Sequence, residues 1–136
     1  IRLPQISMYA SRVSAIPEVR AFLMDMQRDM ARKGSVVMDG RDIGTVVLPQ
    51  AEVKIFLTAS VEDRARRRWE ELQERGTPKD FDELLEEIRQ RDHNDASRSA
   101  APLRPAEDAI RLDTTGNTFE QSRQQILEII KERLGQ

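Results

Sequence analysis

Cysteine is absent from this sequence of 136 residues, which excludes disulfide bridges and thiolate metal sites. No apolar run approaches the ~20 residues that a membrane-spanning helix needs, and no signal peptide is visible. The lack of cysteine is compatible with a reducing compartment. We therefore expect a cytoplasmic protein that has no membrane partner.

The sequence also lacks an excess of positive charge. Its 22 Lys and Arg residues are nearly balanced by 24 Asp and Glu residues, and the two signs are interleaved along the chain. Aromatic residues are few, with four Phe, one Trp and one Tyr, which disfavours a platform for stacking bases. Because nucleic-acid binding relies on a basic patch or field, we expect no nucleic-acid partner.

The pattern of apolar residues predicts an α/β fold. Short β-rich runs alternate with helical patterns, and this alternation is typical of a parallel sheet covered by helices. We expect about three strands, which are few for such a sheet, so the predicted sheet is incomplete. The predicted strands are 36–38, 53–57 and 109–112, and the predicted helices are 7–16, 18–32, 61–75, 82–95 and 118–134.

The segment 39–45, with the sequence D-G-R-D-I-G-T, directly follows the first predicted strand. Glycine allows the backbone to approach a ligand closely. Arg41 and Asp42 place opposite charges after the strand, and α/β sheets bind ligands at the carboxyl ends of their strands. The pattern predicts a ligand-binding loop. An ion pair between Arg41 and Asp42 in a tight turn is the alternative.

Charged residues share one face of the helix predicted at 82–95. Arg91 and Asp95 are four residues apart, and Arg98 joins their face if the helix continues. Guanidinium groups suit phosphate oxygens, and phosphoryl transfer depends on such positioning. Intrahelical ion pairs on a solvated helix, each worth ~0.2–0.5 kcal/mol, are the alternative. His93 has no orienting partner nearby in the sequence, so we assign it to the surface or a cap rather than to general-base catalysis.

Several further motifs follow one another along the sequence. They are S-R-V-S-A-I-P-E-V-R at 11–20, D-G-R-D-I-G-T-V-V at 39–47, V-K-I-F-L at 53–57, R-D-x-x-D-x-x-R at 91–98, P-L at 102–103, A-x-D-A at 106–109 and L-D-T-T at 112–115. In this order they resemble bacterial cytidylate kinase, a family of P-loop nucleoside monophosphate kinases, and the resemblance covers essentially the whole chain. It implies a P-loop kinase-type parallel sheet flanked by helices, and transfer of a phosphoryl group from ATP to CMP or dCMP with Mg²⁺ bound through ATP.

The resemblance implies a base-reading group and a phosphate-binding group. Ser11, Arg20 and Asp42 would recognise cytosine, and the Asp42 carboxylate can accept a hydrogen bond from its exocyclic amine. The residues that would contact the acceptor phosphate, the sugar and the transferred phosphate are Arg41, Arg91, Asp95 and Arg98. Of these, Arg41 and Arg98 would hold the acceptor phosphate, while Arg91 and Asp95 would address the sugar and the transferred group. The implied catalytic residues are Arg41, Arg91 and Arg98.

The resemblance also divides the chain by role. Residues 1–34 would form the helical end of the monophosphate-binding region, and 35–136 a partial core domain with a mobile lid at about 60–80. Arg64 and Arg67 in the lid would close over the phosphates of ATP, and closure would exclude water. No protein-held metal is implied.

One family motif is missing from this sequence. The glycine-rich phosphate loop G-x-x-x-x-G-K-[ST] has no counterpart, since none of the six glycines precedes a Lys-Ser or Lys-Thr pair. We therefore expect the carboxyl-terminal portion of a cytidylate kinase, inactive by itself and monomeric in its full-length form. The phosphate-loop strand of this family lies between the strands matching 36–38 and 53–57, so those would have unpaired edges. A nucleotide-binding module without catalysis and a kinase for another nucleoside monophosphate are the alternatives.

Overall fold

A computed structural model describes residues 6, 9–10, 13–14, 16–97 and 102–135. The chain divides into two compact units, Ile1–Asp39 and Gly40–Gln136. Among these described residues, the first unit contains helix α1, and the second contains two strands, three helices and a π-helical turn. The elements are α1 (Pro17–Lys33), the π-helical turn Ile43–Val47, β1 (Ile55–Thr58), α2 (Val61–Glu74), α3 (Phe81–Ser97), β2 (Ile110–Asp113) and α4 (Phe119–Leu134).

Helix α1 begins at the proline that the sequence places in its first turn. Pro17 occupies the start of the helix, Glu18 follows in the first turn, and Arg32 and Lys33 lie in the last turn. Proline lacks the N–H that would be unpaired there. The acidic residue near the amino end and the basic residues near the carboxyl end both interact favourably with the helix dipole. The predicted helix at 7–16 falls partly outside the described residues. Within them, no helix is both long and apolar enough to cross a bilayer.

The sheet is parallel and flanked by helices, as predicted. Ile55 lies opposite Ile110, and Thr58 lies opposite Asp113. Two parallel strands need a long crossover connection, and α2 and α3 lie in that connection. The carboxyl ends of β1 and β2 therefore meet at one edge of the sheet.

The first predicted strand, at 36–38, is wrong. Residues 35–39 have no regular secondary structure, and Val37 is 99% exposed. The sheet in the described part of the chain consists of β1 and β2. A β-branched run favours a pleated, half-buried surface, but a strand also needs a neighbouring backbone to pair with. The apolar run alone therefore did not produce a strand.

The loop after residue 39 folds back into the π-helical turn. The N–H groups of Val46 and Val47 donate to the carbonyl of Asp42 at 2.9 and 3.2 Å. Val47 is buried, and a Cβ on Gly40 would lie only 2.9 Å from Cγ1 of Ile43. This close approach favours glycine at position 40. The turn thus confines Arg41 and Asp42 to a short, compact loop.

Helices α2 and α3 form a hairpin packed through small and aliphatic side chains. Ala65 and Leu72 on α2 and Leu84 on α3 are buried. Ser60 caps α2 by accepting a hydrogen bond from the N–H of Asp63 at 3.1 Å, which satisfies an otherwise unpaired donor. The hairpin gives the charged residues of both helices a fixed relative placement.

Candidate functional site

Arg41 and Asp95 meet although 54 positions separate them in the sequence. Nε of Arg41 donates to Oδ2 of Asp95 at 2.8 Å. The Asp95 side chain is 4% exposed and that of Arg41 is 38% exposed. A buried carboxylate is costly unless it is paired and hydrogen-bonded. Asp95 therefore holds the Arg41 guanidinium in one position while leaving part of it accessible.

Arg91 adds a second guanidinium to this carboxylate. It lies one helical turn before Asp95 on α3, and its Nε is 3.9 Å from Oδ2 of Asp95. The Arg91 side chain is 63% exposed. These three side chains carry one positive charge in excess, so the arginine cluster (Arg41, Arg91 and Asp95) can attract an anion.

Lys54 anchors the loop that carries Arg41. Its Nζ donates to the carbonyl of Pro49 at 2.6 Å and to Oδ2 of Asp108 at 2.6 Å. A Cβ on Gly44 would contact Cδ of Lys54 at 3.4 Å. Sequence reasoning missed this role, although a lysine inside the apolar run 53–57 was the available signal. The Lys54 side chain is only 8% exposed, and it joins Pro49, just after the π-helical turn, to Asp108, just before β2.

Arg64 lies at the carboxyl end of β1. Its Nη1 and Nη2 donate to the two carboxylate oxygens of Asp92 at 2.9 and 2.6 Å, and its Nε donates to the carbonyl of Ala59 at 3.1 Å. The hydrogen bond to Asp92 is the main cause of a raised pKa for Arg64. Ala59 directly follows β1, so this guanidinium lies where α/β folds bind ligands.

Arg67 lies at the corresponding end of β2. Its Nη2 donates to the carbonyl of Thr114 at 2.5 Å, and Nη1 is 3.3 Å from the Thr114 hydroxyl. Its Nη2 is also 2.5 Å from Oδ2 of Asp63, one helical turn before it. Thr114 directly follows β2 and is buried. Both arginines assigned to the lid therefore lie at one edge of the sheet.

The other predicted site residues are placed as follows. Asp42 is half-buried and precedes the π-helical turn, and Arg20 lies half-buried on α1 in the first unit. Ser11 and Arg98 lie outside the described residues. His93 is exposed on α3. The structure therefore brings Arg41, Arg91 and Asp95 together, while the cytosine-reading roles stay predictions.

Two open surface depressions are distinct from the arginine cluster. One, of about 440 Å³, is lined by Glu83, Glu86, Glu87 and Gln90 on α3. The other, of about 280 Å³, is lined by polar residues between Asn117 and Glu128. Carboxylate-rich walls repel phosphate, so the arginines form the better candidate site. Within the described ranges, no group of three or more His, Asp and Glu side chains could hold a metal ion.

Comparison with known proteins identifies the family. A family model described as cytidylate kinase matches residues 1–132. The cytidylate kinase of Caldicellulosiruptor saccharolyticus is 56% identical over 135 residues, which cover 99% of this chain and 60% of that protein. The cytidylate kinase of Carboxydothermus hydrogenoformans is 55% identical over 130 residues, which cover 96% of this chain and 59% of that protein.

A third relative agrees with the first two. The cytidylate kinase of Cereibacter sphaeroides is 51% identical over 137 residues, which cover 100% of this chain and 66% of that protein. The chain thus spans about 60% of the length of the curated relatives it matches. It belongs to the cytidylate kinase family.

Proposed function

We propose that this chain supplies the acceptor-nucleotide and lid residues of an enzyme that transfers the γ-phosphoryl group of ATP to CMP or dCMP. The observation that carries the proposal is the arginine cluster, in which a buried carboxylate holds one guanidinium and lies beside a second. An oxygen of the CMP phosphate attacks the γ-phosphorus, and the bond from that phosphorus to the β–γ bridging oxygen breaks. The products are ADP and CDP or dCDP.

The acceptor side of this reaction needs a fixed, positively charged cradle. Arg41, joined by Arg98, would hold the CMP phosphate in line with the group it attacks, while Arg91 and Asp95 would address the sugar and the transferred group. A fixed guanidinium fork loses little freedom when it binds a phosphate, and correct placement of reactants is a large part of catalysis. Asp42, with Ser11 and Arg20, would select the cytosine base.

The donor side needs charge neutralisation around the transferred group. Arg64 and Arg67 would supply guanidinium donors there, as phosphoryl transfer requires. The lid at about 60–80 would exclude water, which limits wasteful hydrolysis of ATP. Mg²⁺, when bound, would neutralise charge on the nucleotide phosphates, and the proposal places this metal on ATP.

The chain by itself should have negligible kinase activity. Its sequence holds no G-x-x-x-x-G-K-[ST] segment, whose backbone and lysine cradle the phosphates of ATP. The proposed small-molecule partners are CMP or dCMP and ATP, with no nucleic-acid or membrane partner and a monomeric full-length form. The cytoplasm stays the predicted location.

The test uses a chimera, in which the part of the C. saccharolyticus cytidylate kinase that this chain does not match is joined to the chain. We expect the chimera to phosphorylate CMP and dCMP in a coupled assay with ATP, and Arg41→Gln to lower kcat/KM for CMP about 100-fold. Arg123→Gln is the matched control, because it removes another arginine–carboxylate pair, the exposed one with Glu120 on α4.

Three results would contradict the proposal. Faster turnover of UMP or AMP than of CMP would assign the chain to a different nucleoside monophosphate kinase. Binding of CMP by the folded chimera without turnover would indicate a nucleotide-binding module. Phosphorylation of CMP by residues 1–136 alone, at the rate of the chimera, would show that no phosphate loop is needed.

A further inference from the structure

We infer that Asp92 is a positioning residue that sets the guanidinium of Arg64 for phosphoryl transfer, an inference that rests on the proposed function. Asp92 lies on α3, outside the lid segment at about 60–80, whereas Arg64 lies in the first turn of α2. Asp92 acts on the reaction through Arg64, whose guanidinium it holds with both carboxylate oxygens.

The contacts of Arg64 fix its guanidinium in a single plane. The two carboxylate oxygens of Asp92 accept from Nη1 and Nη2, and the carbonyl of Ala59 accepts from Nε. These bonds use three of the five N–H donors of the arginine, and two donors are left for a phosphate. A fork-to-fork pair adds geometric specificity that a single contact lacks.

A second ion pair joins the same two helices and provides a comparison with the Arg64–Asp92 pair. Nη2 of Arg89 is 3.3 Å from Oε1 of Glu62, in one hydrogen bond, and both side chains are largely exposed. Such pairs contribute ~0–1 kcal/mol and restrict their side chains weakly. The Arg64–Asp92 pair is shorter, bidentate and more buried, at 36% and 37% exposure, so it orients the guanidinium as well as joining the helices.

Two aspartates on helix α3 hold arginines that belong to the ATP side and to the CMP side of the proposed reaction. Asp92 and Asp95 are three residues apart, and residues at this spacing are neighbours on a helix surface. Asp92 holds Arg64 at the end of β1, and Asp95 holds Arg41 in the loop. One rigid element thereby sets the distance between the donor-side and the acceptor-side guanidinium groups, and misplacement by about 1 Å can cost 10²-fold in rate.

The test measures kcat and both KM values of the chimera carrying Asp92→Asn. We expect kcat to fall about 10-fold, because the amide keeps hydrogen-bonding atoms but loses the charge-assisted fork. The KM for CMP should stay within about twofold, since Arg41 keeps its own carboxylate. Asp92→Glu, which restores the carboxylate on a longer arm, should recover part of the lost kcat.

Arg89→Gln is the matched control, because it removes the other ion pair between α2 and α3 and keeps the charge of Glu62, which acts on Arg64. It should leave kcat and both KM values within about twofold of the unsubstituted chimera. If Arg89→Gln lowers kcat as much as Asp92→Asn does, Asp92 merely docks the helices and the inference is overturned.

Each remaining outcome also decides the inference. An active chimera in which Asp92→Asn keeps full kcat overturns the positioning role and leaves the proposed function intact. A chimera that is inactive without any substitution overturns both. Should Asp92→Asn fail to fold, Asp92→Glu decides alone: a several-fold loss of kcat with an unchanged KM for CMP supports positioning, and full kcat overturns it.

Discussion

Two buried polar residues in the described part of the chain, Asp95 and Thr114, support the arginines of the candidate site. Asp95 accepts from Arg41, and Thr114 accepts from Arg67 through its carbonyl while its hydroxyl donates to the carbonyl of Thr58 at 3.0 Å. Polar groups are buried at little cost only where they are hydrogen-bonded. Asp95 therefore holds Arg41 in one position, and Thr114 holds Arg67 in one position.

Asp113 should make the stability of the fold depend on pH. Its Oδ1 accepts from the hydroxyl and the N–H of Thr115 at 2.6 and 2.8 Å, and these bonds lower the pKa of Asp113. A carboxyl whose pKa is lower in the folded state stabilises the fold above its unfolded pKa, ~3.9, and this contribution is lost as the pH falls through the folded value. In the Asp113→Asn variant, the free energy of unfolding should therefore decrease less steeply as the pH drops below about 4.

The measurement is urea unfolding between pH 7 and pH 2, followed by circular dichroism. Asp108 and Glu120 also have lowered pKa values, through Lys54 and Arg123 respectively, so some acid sensitivity should persist in the variant. Identical pH profiles for the variant and the unsubstituted chain would show that the Asp113–Thr115 contacts do not contribute.

Helices α2 and α4 begin at short capping signals. Helix α4 begins with a full capping box, in which the Thr118 hydroxyl accepts from the N–H of Gln121 at 3.2 Å and the Gln121 side chain accepts from the N–H of Thr118 at 2.8 Å. These bonds satisfy backbone donors that the first turn leaves unpaired. Because α4 follows β2 within a few residues, its start also fixes the turn that contains Thr114.

Thr118→Ala should destabilise the chain by about 1 kcal/mol, because the cap oxygen is lost. The free energy of unfolding, measured in urea, reports the change. Thr118→Ser, which keeps the hydroxyl, should recover most of the loss. An equal loss in both variants would mean that the methyl group of Thr118, rather than its hydroxyl, matters.

The two units of the chain differ in how much apolar surface they expose. On α1, Phe22, Met26 and Met30 are exposed, and Val37 in the same unit is almost fully exposed. Phe22, Met26 and Met30 recur at helical spacing, so they share one face, and a contiguous apolar patch is an association surface.

We expect the isolated chain to self-associate in sedimentation experiments, with the weight-average mass rising with concentration. The double variant Phe22→Gln, Met30→Gln should reduce association, because it breaks the apolar face of α1. Glu18→Gln, an exposed change on the same helix, is the control and should have little effect. A monodisperse monomer that binds CMP would instead favour a nucleotide-binding module.

Local patterns along the chain were sufficient for helices α1 to α4, the parallel arrangement of β1 and β2 and the family, because caps, helical spacing and motif order lie within short stretches of sequence. Ser60 and Thr118 show this, since each marks a helix start through atoms three residues away. Contacts between distant residues were not readable in this way. Which segments meet in space decides the pairing of Arg41 with Asp95, the hold of Asp92 on Arg64 and the anchoring of the loop by Lys54.

Residues 36–38 also show that a local sequence pattern does not specify contacts with distant segments. Their β-branched pattern predicted a strand, yet strand formation depends on a paired backbone, which no local pattern specifies. The arginines and carboxylates suited to phosphate chemistry are a property of the sequence. The burial of Asp95 and the meeting of the carboxyl ends of β1 and β2 are properties of the packed chain. They hold the charged side chains in fixed positions relative to one another.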